Sequence, residues 1–201
     1  MGDPRTDRIV AAYGEQLARH ADGPETTRMS AAGQHFRFAK LMELDDLRGS
    51  RVLDLGCGIG EFYPLLRERF GDLDYHGVDI TPGMIEVASR KYPEAQFEAR
   101  DVLRDGLPGE YDHVLMSALF NDVMPDPTGY LRELVSVAFA GARRSIAFNF
   151  LSAHANWLVD DLSYHDPATV LDFSVRHLTR RVRMEHMYER ADVAVFLYAN
   201  S

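Results

Sequence analysis

Arg51-Val52-Leu53-Asp54-Leu55-Gly56-Cys57-Gly58-Ile59-Gly60-Glu61 is the stretch that decides the fold. Its first five residues form a short apolar run of the kind that makes a buried parallel strand. Three glycines at alternate positions follow. Without a Cβ, glycine lets the backbone turn tightly and approach a ligand closely. Residues 61–70 then carry a helical pattern, with Pro64 tolerable only in the first turn. Such a strand–loop–helix unit points the free N–H groups of the helix at whatever fills the loop. The spacing discriminates among ligands. A dinucleotide loop requires Gly-x-Gly-x-x-Gly, and the last of those positions here is Glu61. The Asp54 and Glu61 carboxylates also flank the loop, where a pyrophosphate would be repelled.

Outward from this unit, short apolar runs alternate with helical patterns, the signature of a parallel sheet with crossover helices. Strands are expected at Tyr75 to Asp79, Gln96 to Ala99, Tyr111 to Ser117 and Arg144 to Phe150. Helices are expected over residues 5–20, 29–47, 82–91 and 128–139, and from Asp166-Pro167 to about His177. Thr81-Pro82 reads as an N-cap followed by the first helical residue. The end breaks the alternation. Thr179 to His186 alternates polar and apolar residues, residues 188–192 read as a turn, and Val193 to Tyr198 is β-rich. Strands joined so closely pair antiparallel. The expectation is an α/β, Rossmann-like, seven-stranded and mostly parallel sheet closed by a C-terminal antiparallel hairpin. Residues 1–201 read as a single domain, with 1–47 as helices forming a lid or substrate side and 48–201 as the cofactor-binding core.

The 201 residues are 46% hydrophobic and 26% charged, the balance of a globular chain. Acids outnumber bases 31 to 22, for a net charge of -9. That excludes a general nucleic-acid binder, which needs a basic face. Cys57 is the only cysteine, which rules out an internal disulfide and Cys-rich metal sites. The first ten residues lack the apolar core of a secretory signal. The stretch free of Asp, Glu, Lys and Arg from Ser145 to Val159 is too short to span a bilayer. The expected location is the cytoplasm, with no membrane partner.

Acid-x-Gly-x-Gly-x-Gly at Asp54 to Gly60 resembles the first motif of class I S-adenosylmethionine-dependent methyltransferases. The resemblance runs from about residue 36 to the closing hairpin. It implies that Asp54, Gly56, Cys57, Gly58 and Gly60 hold the methionine portion of the cofactor. Asp79, at the end of the second strand, matches the residue that accepts from the ribose hydroxyls, with Ile80 and Met84 packed near the adenine. Asp101 and the Val102 N–H match the adenine-binding pair. The fourth strand ends at Ser117, facing the transferred methyl. Taken singly, each acid reads equally as a turn or cap residue; their order at consecutive strand ends carries the resemblance. Arg37, Asn149-Phe150 and the aromatic last strand further resemble small bacterial methyltransferases, with Arg37 either clamping the cofactor carboxylate or sitting as an exposed helix charge.

Several subclasses are excluded. Ser117-Ala118-Leu119-Phe120 lacks the Asn/Asp-Pro-Pro-aromatic motif of amino-methylating enzymes. Asp122 and Asn149 imitate part of a magnesium site without a third ligand, so no metal is expected. Substrate residues are expected at the C-terminal edge of the sheet: Phe120, Asn121, Asn149, Trp157 and Tyr164. The acceptor is expected to be a small soluble molecule methylated at oxygen or nitrogen. If its proton must leave, histidine suits the task near pH 7, and His165 is the first candidate base, His154 the second. A cofactor-binding module without catalysis and a nicotinamide oxidoreductase are the alternatives.

Overall fold

The protein is described as a computed structural model over residues 3–187 and 191–200. The residues 188–190 of the expected hairpin turn lie outside the described ones, as do the first two of the N-terminal segment. Among the described residues, seven strands form one sheet: β1 (Arg51–Leu55), β2 (Asp74–Asp79), β3 (Gln96–Ala99), β4 (Tyr111–Met116), β5 (Ala142–Leu151), β6 (Val182–Met187) and β7 (Asp192–Tyr198). Their order is β3-β2-β1-β4-β5-β7-β6. The first five are parallel, and β7 pairs antiparallel with both β5 and β6. The expected sheet and hairpin are both present.

Helices α1 (Pro4–His20), α2 (Ala31–Leu41), α3 (Phe62–Phe70), α4 (Pro82–Lys91), α5 (Val102–Asp105), α6 (Pro127–Ala140) and α7 (Pro167–His177) connect or cover the strands, with a short 3-10 turn at Pro24–Thr27. Proline opens α1, α4, α6 and α7, where its missing N–H costs nothing. Central strands are buried on both faces: Val52, Leu53, Val114, Leu115, Ile146 and Phe148 are all fully covered.

One local expectation needs correction, and two details are added. The helix expected over 29–47 ends at Leu41; Leu44 and Leu47 are buried, but a turn carries them into β1 rather than a further helical turn. The sequence reading missed α5, a single turn capped by Asp101. Thr81 caps α4 by position without a side-chain cap bond. Instead Asp79 Oδ1 accepts from the Thr81 N–H at 2.8 Å.

The N-terminal segment divides in two. α2 belongs to the core: Phe38 stacks on Phe62 with ring centroids 4.2 Å apart, and Leu41 is fully buried. α1 lies against α4, where Tyr13 and Leu17 pack on Ile59, Met84 and Val87.

Candidate active site

The strand order reverses between β1 and β4, the switch point where open α/β sheets bind ligands. A cavity of about 500 Å³ opens there, within the usual range for small-molecule sites.

β1 delivers Asp54 to this cavity one residue before its end. The side chain is buried, and Tyr75 Oη donates to its Oδ2 at 2.8 Å. Burial, with the charge of Asp79 adding to it, pushes the Asp54 carboxyl up to about 7. The loop that follows turns through left-handed conformations at Gly56, Gly58 and Gly60 (φ 77°, 53° and 83°), where any side chain would be strained. The N–H groups of Gly56 and Cys57 both donate to Val78 O, at 2.7 and 3.1 Å, and so tie the loop to β2. This approach depends on Gly77, whose added Cβ would stand 2.6 Å from Phe97 Cδ1 and 3.0 Å from Cys57 Sγ. Cys57 is buried, and burial pushes its thiol up, so it is no nucleophile.

Gly60 does not line the cavity. A Cβ there would meet Phe97 and Tyr92 at 3.0–3.1 Å, so its role is the turn and the packing behind it, not contact with a ligand. Gly56, Cys57 and Gly58 do line the cavity.

The next two strand ends add their acids. Asp79 Oδ2 accepts from the Gly58 N–H at 2.9 Å and Oδ1 from Thr81; each oxygen keeps acceptor capacity for a hydroxyl. Burial pushes the Asp79 carboxyl up from its ordinary value. Asp101 Oδ1 caps α5 by accepting from Leu103 and Arg104 at 3.1 and 3.2 Å. Val102 is the first residue of that helix, so its N–H has no partner within it. Ile80, Met84 and Ser117 line the same cavity. A paired acceptor at Asp79, a donor and acceptor at Val102 and Asp101, and a glycine cradle suit a nucleoside joined to an amino acid. The residues present fit S-adenosylmethionine.

Arg37 lines the cavity from α2 and is not an exposed charge. Its Nε donates to Asp192 Oδ1 at 2.8 Å, on the wholly buried side chain that begins β7. Asn149 Nδ2 donates to the same oxygen at 3.3 Å, while Asn149 Oδ1 accepts from the Ala118 N–H at 2.7 Å. Asn149 therefore does not reach the cavity, as the sequence reading had it do; it fixes the left-handed Ala118 (φ 59°), directly after Ser117.

Of the other expected acceptor-side residues, Asn121, Trp157 and Tyr164 line the cavity. Phe120 does not: it is buried among Tyr130, Phe148 and His165. Both candidate bases are also corrected. His165 is buried behind Phe120, with its Nε2 3.0 Å from Phe120 O and Phe150 against its ring. Burial holds it below the ordinary histidine value. His154 stands outside the cavity, largely exposed, with Nε2 3.5 Å from Asp166 Oδ1. Neither reaches the ligand space.

Sequence reasoning missed two residues. Tyr13 Oη donates to Asp122 Oδ2 at 3.0 Å, and Arg28 Nη1 donates to Asp122 Oδ1 at 2.8 Å. All three line the cavity. Burial, reinforced by the Asp122 charge, pushes the Tyr13 phenol well above its ordinary value. No local spacing announces this cluster, because its members come from three separated segments. Asp122 is thereby engaged by a phenol and a guanidinium.

A doubly wound sheet closed by a hairpin, with a glycine loop and acids at three successive strand ends, is the arrangement expected from the resemblance to class I S-adenosylmethionine-dependent methyltransferases. Residues 52–141 match the family described as a methyltransferase domain. A chain named as a methyltransferase in Mycobacterium tuberculosis is 28% identical over 143 residues, 68% of this chain and 86% of that one. The ribosomal RNA large subunit methyltransferase E of a Caulobacter strain is 28% identical over 98% of this chain and 92% of its own. Six other curated relatives are matched over only 20% to 52% of their length. Among solved structures, magnesium protoporphyrin IX methyltransferase from Synechocystis, with S-adenosylmethionine bound, superposes with a TM-score of 0.72 at 18% identity, over 99% of each chain. That likeness speaks for the fold.

Proposed function

We propose that this chain transfers the methyl group of S-adenosylmethionine to an oxygen or nitrogen of a small acceptor. The observation that carries the reading is the continuity of one cavity. It runs from the cofactor-side acids Asp79 and Asp101 to Trp157 and Tyr164 on the segment after β5. Bound S-adenosylmethionine supplies an electrophilic methyl on a sulfonium that is already a good leaving group.

The chain's own residues then have three tasks. Asp79 accepts from the ribose hydroxyls, and Asp101 with the Val102 N–H reads the adenine edge. Asp54 faces the amino-acid end, where a neighbouring ammonium favours its ionised form. Arg37, with Nε committed to Asp192, offers only its remaining N–H groups to a carboxylate. The N-terminal segment, held to Asp122 by Tyr13 on the first helix and by Arg28 after the 3-10 turn, covers the cavity and excludes water. Exclusion of water and alignment of acceptor with methyl are the main contributions a protein makes to such a displacement.

A net charge of -9 weighs against a nucleic-acid substrate, despite the full-length similarity to a ribosomal RNA methyltransferase. No helix among the described residues is long and apolar enough to cross a membrane. The deciding experiment is conversion of S-adenosylmethionine to S-adenosylhomocysteine across an acceptor panel that includes ribosomal RNA. Turnover with small acceptors and none with RNA is expected. Turnover with RNA alone would replace the acceptor class, and binding without any turnover would leave a cofactor-binding module.

A further inference from the structure

We propose that the acceptor is an uncharged aromatic molecule, bearing no carboxylate, whose ring is covered by Trp157 at the mouth of the cavity. This rests on the methyltransferase reading above and adds the chemical class of the acceptor to it.

Charge comes first. Three arginines line the cavity, and each is already held. Arg28 is 2.8 Å from Asp122. Arg37 is 2.8 Å from Asp192. Arg100 pairs with Glu98 at 2.9 Å and donates to the carbonyls of Asp105 and Gly106. No lysine or histidine is among the described lining residues. Asp54, Asp79 and Asp101 face the same space, and the hydrogen bonds they accept come from a phenol and backbone N–H groups, none from a cation. A carboxylate on the acceptor would lose its hydration here, and each cavity arginine already balances an acid, with the remaining N–H groups of Arg37 assigned above to the cofactor's carboxylate. The cost is avoided by a neutral acceptor.

Shape comes second. Trp157 lines the cavity yet is 70% exposed, and its neighbours Leu158 and Val159 are 56% and 43% exposed. Contiguous exposed apolar surface at the mouth of a cavity marks a binding surface more often than a packing accident. Tyr164 lines the cavity from the same segment, and its hydroxyl accepts from the Val159 N–H at 3.1 Å, so it props the lip that carries Trp157. An exposed flat indole at the rim is best covered by another flat ring, through area burial and offset stacking.

The test uses the full chain loaded with S-adenosylhomocysteine, titrated in a calorimeter with 2-naphthol, 2-naphthoate and trans-aconitate. The first two share a ring system and differ in charge; the third carries charge without a ring. We expect 2-naphthol to bind at least about tenfold more tightly than 2-naphthoate, with no detectable binding of trans-aconitate. Trp157→Leu, which keeps an apolar side chain and removes the ring, should weaken 2-naphthol roughly fivefold to tenfold and leave S-adenosylhomocysteine affinity unchanged. The proposal is overturned if either carboxylate binds as well as 2-naphthol, if the leucine variant binds 2-naphthol like wild type, or if none of the three binds. S-adenosylhomocysteine affinity separates the two levels. Its presence with a failed acceptor series rejects the acceptor class alone, whereas its absence rejects the methyltransferase reading as well.

Discussion

Arg37 and Asp192, 155 positions apart in sequence, meet at 2.8 Å beneath the active-site cavity. The contact joins the second helix to the first residue of the last strand. Through Asn149, which shares the Asp192 oxygen, it also reaches the backbone that follows Ser117. Three segments that line or support the ligand space are thus fixed by one buried carboxylate.

Asp192→Ala should therefore destabilise the chain by about 3–5 kcal/mol, the usual cost of stripping one partner from a buried ion pair. Urea denaturation would measure it. Arg37→Ala with an equal loss would assign the effect to the pair, whereas a much smaller loss would assign it to Asn149.

The Asp54 carboxyl, held up to about 7 by burial, predicts a particular pH response. Its folded-state value is raised, so its contribution to stability is complete below about pH 4 and is lost as pH rises through 7. Buried His76, His113 and His165 have lowered values and act in the opposite sense. They favour the folded state as pH rises toward the ordinary histidine value. The Asp54 contribution is isolated by difference: between pH 5 and 8, Asp54→Asn should lose less stability, or gain more, than wild type. The ligand's ammonium beside Asp54 favours the ionised form, so S-adenosylhomocysteine affinity should rise over the same interval in wild type and stay flat in the variant. Parallel calorimetric profiles would contradict this.

Asp79→Ala removes the acceptor for the Gly58 and Thr81 N–H groups together with the proposed ribose contacts. Affinity for S-adenosylhomocysteine should fall by about 2–4 kcal/mol. Unchanged affinity would take Asp79 out of the site.

Asp122 holds both Tyr13 and Arg28. Asp122→Ala should loosen the N-terminal covering, seen as faster proteolysis within residues 3–28. Turnover should fall more than S-adenosylhomocysteine affinity, because water exclusion is lost while the cofactor-side acids remain. Tyr13→Phe, which deletes one hydrogen bond worth about 0.5–1.5 kcal/mol, should show the same effects more weakly.

His165→Ala should act on stability rather than on protons. It leaves the Phe120 carbonyl without its present partner and a gap between two phenylalanine rings, at a cost of roughly 2–4 kcal/mol. The pH profile of turnover should keep its wild-type shape. Rescue of the variant at high pH would restore His165 as a base.

The sheet was legible because it is written locally. Strand runs, Pro-opened helices and the Gly56 to Gly60 loop each carry their own pattern, and an acid at a strand end needs only the strand to be placed. The covering cluster was not legible, because Tyr13, Arg28 and Asp122 acquire meaning only when three segments converge. The histidines misled for a related reason. Position after β5 puts His154 and His165 near the correct edge, but whether a side chain faces the ligand or the core behind it is decided by packing: His165 turns inward onto Phe120, and His154 turns out to solvent. Asn149 shows the same limit, one layer behind the position expected of it.

The only thiol in the chain sits inside the loop that would cradle the cofactor, buried against β2. A reagent specific for cysteine meets Cys57 from the cavity it lines or when the loop lifts, so the labelling rate measures how open the cradle is. Anything bound in the cradle must slow the labelling in proportion to its occupancy. The molecule thus carries its own chemical clock, able to rank ligands before any product is known.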